Sequence, residues 1–328
     1  MPGAPQSRDR RTVLSRRSFA GLVGVAALGA LPGCSSPFES VRLTVATGGT
    51  QGVYFALGRA LGRIWSERLE LAVAPEILST AGSVENLDLL AAGAADVAFS
   101  QIDTAADQLA GTPPAHPRAP RALARIYDDV VHVVVPAGSA ARSVTDLRGL
   151  RVSIGAPDSG VLVIAQRVLA AAGLVPDRDL AAVRLGINDS VTALRAGEID
   201  AFFWSGGLPT TGVTELAAAV PIRLLDLDDV LGAVRGRYPG YASGTVPARS
   251  YGIPDPVTTM FVRNVLLVAA QMPDELAEAL VAGLFAGRPA LADATPAALT
   301  IDPRAAIGTQ PVPLHPGAER FYRAEKDA

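Results

Sequence analysis

The stretch Leu43–Tyr54, LTVATGGTQGVY, sets the pattern by which the rest of the chain can be interpreted. Its first four residues, Leu43 to Ala46, predict a short buried strand, and the run from Val53 to Trp65 predicts an amphipathic helix. The glycines between them permit a tight turn that presents backbone N–H groups at the positive end of the helix. We therefore expect a small solute, favoured to be anionic, to lie over this loop.

Three interpretations of the loop remain open. Gly48-Gly49-x-x-Gly52 approximates a dinucleotide-binding turn. The same residues suit the first wall of a solute-binding cleft, or a turn that only connects strand to helix. The loop by itself does not separate these interpretations.

Composition narrows the class of protein. The 328 residues can form one large or two ordinary domains, and 49% hydrophobic residues with 32 glycines and 25 prolines are typical of a globular chain. A net charge of −3 provides no basic surface for nucleic acid. Lys326 is the only lysine and Cys34 the only cysteine, so a catalytic lysine, a catalytic thiol and a thiolate metal site are disfavoured.

The N-terminus has the features of an export signal. Ser15-Arg16-Arg17-Ser18-Phe19 matches the twin-arginine signature, and the apolar run from Ala20 to Leu31 is too short to span a membrane. Leu31-Pro32-Gly33-Cys34 resembles the cleavage site of a lipoprotein. We expect residues 1–33 to be a signal peptide, Cys34 to be lipidated and residues 34–41 to be a tether. The protein is then exported and lipid-anchored at the extracytoplasmic face of the cell membrane, in the periplasm or on the outer surface.

The chain continues as two halves with the same pattern. In the first half, Ser83 is a candidate N-cap for a helix to Ala92, and Asp96–Gln101 predicts a strand. In the second half, a loop at 155–161 opens a helix, and Asp200–Trp204 predicts a strand. Polar residues follow the strands in both halves, at the sheet edge where ligands bind in open α/β folds. Two such lobes facing each other enclose a cleft.

Two further strands are predicted with an irregular segment between them. Tyr127–Pro136 is a β-branched run, and Val257–Ala269 is a second one. Residues 113–120 and 238–256 are rich in proline or glycine and predict loops. A helix is expected to begin at Pro273, because proline suits the first helical position and acids occupy the first turn.

Five motifs, in order, resemble one family, the TAXI-class extracytoplasmic solute receptors of tripartite ATP-independent periplasmic (TRAP) transporters. They are ATGGTQGVYFALG (46–58), STAGSVENLDLLAAGAADVAFSQ (79–101), GAPDSGV (155–161), DAFFWSGGLPT (200–210) and PLHPGAERFYR (313–323). The resemblance implies an α/β type II periplasmic-binding-protein fold, with lobe I at 42–134 plus about 257–328 and lobe II at about 135–256. It also implies a non-enzymatic receptor without a cofactor, which passes a small acidic solute or amino acid (glutamate, glutamine or a 2-oxoglutarate-like compound) to TRAP permease subunits.

The expected ligand-binding residues lie at the ends of strands and in the loops of both halves: Gly49, Thr50, Tyr54, Ser83, Val84, Gln101, Ser159, Gly160, Val161, Trp204, Ser205 and Gly206. The amides of Val84 and Glu85, at the start of the helix that Ser83 is expected to cap, are expected to contact an anion. Asp158 departs from the family's usual Gly-Ser-Gly-Thr sequence. Its carboxylate would repel an anion unless it points to solvent or pairs with a ligand amine, which keeps amino acids among the candidates.

The remaining titratable side chains suggest no active site. His116, His132 and His315 lack metal spacing, Arg125 fits a surface position, and Glu85 with Asp88 fits a solvated helix face. A short-chain-dehydrogenase-like NAD(P) oxidoreductase is the alternative from another class, because Tyr322-x-x-x-Lys326 has that family's catalytic spacing. This pair stands at the extreme C-terminus, where nothing follows to build a site. A binding protein that serves a different transporter or a sensor shares the predicted fold.

Overall fold

A computed structural model describes residues 36–113 and 115–327. The predicted signal peptide, the twin-arginine motif and Cys34 lie outside these residues. Residues 36–328 form a compact unit by themselves. Within the described part, no helix combines the length and apolarity needed to cross a membrane.

The described strands form one mixed sheet in the order β2-β1-β3-β10-β4-β7-β5-β6, with β8 paired to β4 and β9 paired to β10. The strands are β1 (Thr44–Ala46), β2 (Glu76–Leu78), β3 (Val97–Gln101), β4 (Pro120–Pro136), β5 (Arg151–Ser153), β6 (Ala181–Val183), β7 (Ala201–Gly206), β8 (Ile222–Leu224), β9 (Tyr241–Val246) and β10 (Val257–Ala269).

Helices cover both faces of this sheet. They are α1 (Val53–Arg68), α2 (Ser83–Ala92), α3 (Ile102–Ala110), α4 (Gly160–Ala171), α5 (Pro176–Asp179), α6 (Ile187–Ala196), α7 (Thr211–Ala219), α8 (Asp228–Arg237), α9 (Asp274–Ala286), α10 (Arg288–Ala294), α11 (Pro303–Ala306) and α12 (Pro316–Asp327). Short 3₁₀ segments lie at 145–147, 250–252 and 296–300.

Two long antiparallel strands, β4 and β10, run through both halves of the sheet. The first part of β4 packs into one core through Leu123 and Ile126, and its last part packs into another through Val131 and Val133. We call the half built on β1–β3 with α1–α3 and α9–α12 lobe I, and the half built on β5–β9 with α4–α8 lobe II. Parallel strands on either side of two crossover strands form the two-lobed type II periplasmic-binding-protein fold, which confirms the predicted fold class. The predicted residue limits of the lobes stay a prediction, because β4 and β10 belong to both.

The predicted repeat between the halves has a physical basis. Gly93 and Gly197 end α2 and α6 with φ of 76° and 72°, the left-handed conformation that glycine adopts without strain. Three residues later, Asp96 accepts a hydrogen bond from the Thr44 amide, and Asp200 accepts one from the Arg151 amide. Each aspartate thus fixes the start of the neighbouring parallel strand in its own lobe.

Several local predictions differ from the structure. β4 begins at Pro120, seven residues earlier than expected, and β9 occupies part of the predicted loop at 238–256. Helices α3 and α8 have no counterpart in the predictions. Residues 36–41 belong to the predicted tether, but they contact the folded domain, since Phe38 and Val41 pack on the core of lobe I.

Candidate functional site

A cleft of about 670 Å³, measured between its walls and including the part open to solvent, lies between the two lobes. Lobe I contributes the loops after β1 and β2, and lobe II contributes the loops after β5 and β6. The strands β3, β4 and β7 form its floor. The carboxyl ends of parallel strands from both lobes therefore meet at one site, as open α/β sheets favour.

Ten of the twelve predicted ligand-binding residues line this cleft. They are Gly49, Tyr54, Ser83, Gln101, Ser159, Gly160, Val161, Trp204, Ser205 and Gly206. The other two do not line it: Thr50 is exposed on the far side of the glycine loop, and Val84 is half-buried in the first turn of α2. The structure thus gathers most of the predicted set, and their contact with a solute stays a prediction.

The floor of the cleft carries a buried polar triangle. Gln101 Nε2 donates to Asp129 Oδ2 and lies equally close to Ser205 Oγ, at 2.8 Å in both cases. Ser205 Oγ donates to the same Asp129 oxygen at 3.1 Å. The three residues come from β3, β4 and β7, so the triangle crosses from lobe I through a crossover strand to lobe II.

Asp129 and Gln101 each keep one acceptor free. Asp129 is 2% exposed, yet its Oδ1 makes no hydrogen bond to the described residues, and neither does Gln101 Oε1. Burial raises the pKa of Asp129 to about 6, although hydrogen bonding from Gln101, Asn264, Ser205 and Tyr127 acts in the opposite direction. Among the described residues that line the cleft there is no arginine, lysine or histidine.

Aromatic rings form the walls. Tyr54 packs its ring against Phe99, with centroids 5.2 Å apart, and meets Tyr127 edge-on at 6.3 Å. Its hydroxyl donates to Asn264 Oδ1 on β10. Tyr54 therefore combines the predicted place in the cleft with a packing role inside lobe I.

Trp204 faces the cleft from lobe II and is held by a chain of hydrogen bonds. Its Nε1 donates to Thr210 Oγ1 at 3.0 Å, and the Thr210 amide donates to the Tyr251 hydroxyl at 2.9 Å. That hydroxyl lies 3.1 Å from Nε2 of the buried His132. Burial lowers the pKa of His132 to about 4, so the ring is neutral at pH 7 and serves this network.

Protein groups bond to part of the helix starts near the cleft. Ser83 is not the N-cap of α2, as the sequence suggested: Gly82 takes that position, and Ser83 Oγ accepts from the Gln101 amide. The Glu85 amide, expected to contact an anion, donates to the Asp158 carbonyl across the cleft at 3.0 Å. Ser159 caps α4 by accepting from the Leu162 amide at 3.1 Å.

Asp158 does not enter the cleft. It is exposed, is absent from the cleft lining, and adopts a left-handed φ of 57° in the loop before α4. The side chain that departs from the family pattern is therefore exposed to solvent and lies outside the cleft lining.

The lobes touch at several points around the cleft. A Cβ built on Gly160 of α4 would lie 2.1 Å from Gln101 Oε1 and 2.9 Å from Ser83 Oγ, both in lobe I. Only glycine fits this approach. The described arrangement is therefore a closed one, in which the two walls leave room for a small solute.

The other titratable side chains considered as candidates form contacts that stabilise the fold or are exposed to solvent. Arg125 makes a two-pronged ion pair with Asp128, while Glu85 accepts from the Ala81 amide at the start of α2. Tyr322 donates its hydroxyl to the Leu123 carbonyl, and Lys326 is exposed near the end of α12, so this pair forms no dehydrogenase site. The described residues contain no group of three or more histidine, cysteine or acidic side chains placed to hold a metal.

Sequence reasoning missed Asp129 and Tyr127, the two cleft residues of β4. The available signal was the pair Asp128-Asp129 inside a strongly β-branched run. A carboxylate in the middle of a strand buried on both sides must find a partner or serve a ligand. The alternation of a strand does not reveal which of two adjacent acids faces the cleft.

Solved structures similar to this chain come from several bacteria. A protein from Bordetella bronchiseptica RB50 gives a TM-score of 0.50 at 21% identity, over 87% of this chain and 90% of that chain. The periplasmic aliphatic sulphonate binding protein SsuA from Escherichia coli gives 0.47 at 15% identity, over 86% and 82%. An ancestral arginine-binding protein gives 0.46 at 13% identity, over 78% and 97%.

The first of these similarities agrees with the two-lobed fold derived above from the strand order. A family model matches residues 45–325, which include nearly all of the described chain and every residue of the cleft. This chain belongs to the NMT1-like family.

Proposed function

We propose that this protein is a non-enzymatic, extracytoplasmic solute-binding receptor that captures a small molecule between its lobes. The observation that carries the proposal is the cleft, which has walls from both lobes and a floor of buried polar groups with free acceptors. A solute that touches both walls binds the closed form better than an open one, and so shifts the population toward closure.

The membrane partner follows from the motifs at 46–58, 79–101 and 155–161, which resemble TAXI-class receptors. We propose that the closed receptor delivers its solute to a TRAP-type permease. Co-purification of permease subunits with the solute-loaded receptor, but not with the empty one, tests this partner.

The anchor follows from the N-terminal sequence. We propose that Cys34 carries a lipid that keeps the receptor at the extracytoplasmic face of the membrane. The full chain should fractionate with membranes, and C34S should appear in the soluble extracytoplasmic fraction.

The predicted acidic solute has little to bind in the cleft. No cationic side chain among the described residues lines it, and of the helix-end groups the Glu85 amide is bonded to the Asp158 carbonyl and the Leu162 amide to Ser159 Oγ. An amino acid, also expected, brings an amine that suits the cleft better.

Thermal unfolding of residues 36–328 tests the receptor function. The panel is glutamate, glutamine, aspartate, 2-oxoglutarate, succinate and NADH. A solute at 100 times its dissociation constant adds roughly 2.7 kcal/mol of stability, enough for a clear rise in Tm. A rise with a small solute supports the receptor, and a rise with NADH alone would favour the oxidoreductase alternative.

A further inference from the structure

The electrostatic character of the cleft is set by one side chain. Asp129 is buried at its floor, and the cleft lining includes no basic residue among the described positions. The titratable groups that face Asp129 are Tyr54 from α1 and Tyr127 from β4, and burial together with Asp129 raises the pKa of both. They are neutral at pH 7, so no side chain that lines the cleft among the described residues balances the charge of the carboxylate.

Only one of the two oxygens of the Asp129 carboxylate accepts hydrogen bonds of good geometry from the protein. Oδ2 accepts from Gln101 and Ser205, whereas Oδ1 makes no hydrogen bond of good geometry to the described residues, although the side chains of Asn264 and Tyr127 also lower the pKa of the carboxyl. Gln101 Oε1 is likewise without a donor among the described residues. A buried carboxylate without a cation is costly, and a buried polar atom without a partner adds to that cost. A solute that brings positive charge and N–H donors removes both penalties when it binds.

The walls suit the same kind of solute. The aromatic residues Tyr54, Tyr127 and Trp204 line the cavity that contains Asp129. The negative faces of aromatic rings attract organic cations and repel anions. The charge of the floor and the character of the walls therefore favour one sign of solute.

We propose that the cleft selects a small solute carrying a protonated amine, which donates to Asp129 Oδ1 and Gln101 Oε1 while its carbon skeleton packs against the aromatic walls. The inference rests on the proposed receptor function and names its class of solute. It differs from the acidic solute that the sequence suggested, and it includes amino acids bound through their amino group.

Matched pairs of probe molecules test which sign of solute charge the cleft prefers. Butylammonium against butyrate, and benzylammonium against benzoate, keep one skeleton and change only the ionic group. We expect each ammonium probe to bind residues 36–328 at least ten times more tightly than its carboxylate partner. In D129N the ammonium affinity should fall at least tenfold. D128N is the control, because Asp128 is adjacent on β4 but pairs with Arg125 outside the cleft, and it should bind as the wild type does.

The pH dependence tests the same inference without a substitution. With an Asp129 pKa of about 6, an ammonium probe should bind roughly ten times more weakly at pH 5 than at pH 7, because protonated Asp129 cannot pair with it. A carboxylate probe has the opposite dependence. Carboxylate binding tighter than ammonium binding at pH 7, or ammonium binding unchanged in D129N, would overturn the inference and leave the receptor function standing.

The solute that the protein retains through purification separates the two proposals. It is released by denaturation and identified by mass spectrometry. A released solute with a basic nitrogen supports the inference, and one without a basic nitrogen overturns it while the receptor stands. If nothing is released and neither member of either probe pair binds, the receptor function itself fails.

Discussion

Arg167 on α4 and Asp103 on α3 form an ion pair that joins lobe II to lobe I, with side chains only 10% and 7% exposed. Arg167 also donates to the Tyr241 hydroxyl at 2.7 Å, and that hydroxyl donates to Asp103. The guanidinium carbon lies 4.2 Å from the centre of the Tyr238 ring. None of these residues lines the cleft, so the cluster holds the lobes together independently of the solute.

Replacing Arg167 should loosen the closed form. In R167Q, Asp103 stays buried in the closed state without its cation, a change that costs about 3–5 kcal/mol in buried pairs. We expect the radius of gyration of the empty protein, measured by small-angle X-ray scattering, to increase, and solute affinity to fall at least tenfold. D107N is the control: Asp107 also pairs with Arg167 but is 66% exposed, so its loss should matter little. An unchanged radius of gyration in R167Q would show that this pair does not control closure.

Gly160 should be required for closure and not for folding. The Cβ of G160A would collide with Gln101 Oε1 and Ser83 Oγ, and opening of the lobes relieves both contacts. We predict that G160A loses solute binding while its Tm stays within a few degrees of the wild type. G138A serves as the matched control, since a Cβ at exposed Gly138 meets nothing within 4 Å. Retained binding in G160A would mean that the lobes need not approach this closely.

Intrinsic fluorescence should report occupancy through one residue. The chain has two tryptophans. Trp65 is fully buried in the core of lobe I and bonded to the Leu280 carbonyl, whereas Trp204 lines the cleft. We predict that a bound solute changes the emission of the wild type and of W65F but not of W204F. A solute-dependent change in the emission of W204F would show that the signal does not come from Trp204, and would contradict binding in the cleft beside it.

Asp129 should make the empty protein less stable as pH rises. Its folded pKa of about 6 exceeds the unfolded value of about 3.9, so between these pH values the folded state keeps a proton that the unfolded state has lost. The free energy of unfolding therefore falls through this window, by at most about 3 kcal/mol from this group. His132, with a folded pKa of about 4, contributes a slope of opposite sign.

The comparison with D129N isolates the aspartate from His132. The stability gained by D129N over the wild type should be larger at pH 7 than at pH 4.5, as measured by urea unfolding. Parallel pH profiles for the two proteins would contradict the assignment of a raised pKa to Asp129.

The sequence predicted those parts of the fold that local patterns determine. Gly93 with Asp96 and Gly197 with Asp200 each mark a helix end and the following strand, and the structure confirms both positions. The extension of β4 back to Pro120 was not predictable in this way. It depends on pairing with β10, which lies more than 130 residues further along the chain.

The residues of the cleft also separate into those that local sequence patterns predict and those that depend on long-range packing. Gln101 and Ser205 lie at the C-terminal ends of β3 and β7, so their place at the sheet edge could be inferred from the order of elements. The role of Asp129 could not, because it depends on which face of a crossover strand meets the cleft. The prediction that Ser83 is the N-cap of α2 was wrong. Gly82, with φ of 127°, occupies the N-cap position, and the Ser83 hydroxyl accepts a hydrogen bond from the backbone amide of Gln101.

The central claim is that closure of the lobes captures a small solute in the cleft. The most direct measurement exposes residues 36–328, as wild type and as G160A, to a small-molecule extract, removes unbound compounds, and identifies what remains by mass spectrometry after denaturation. The account predicts one solute enriched on the wild type and absent from G160A. No enrichment on the wild type, or equal enrichment on both proteins, would contradict it.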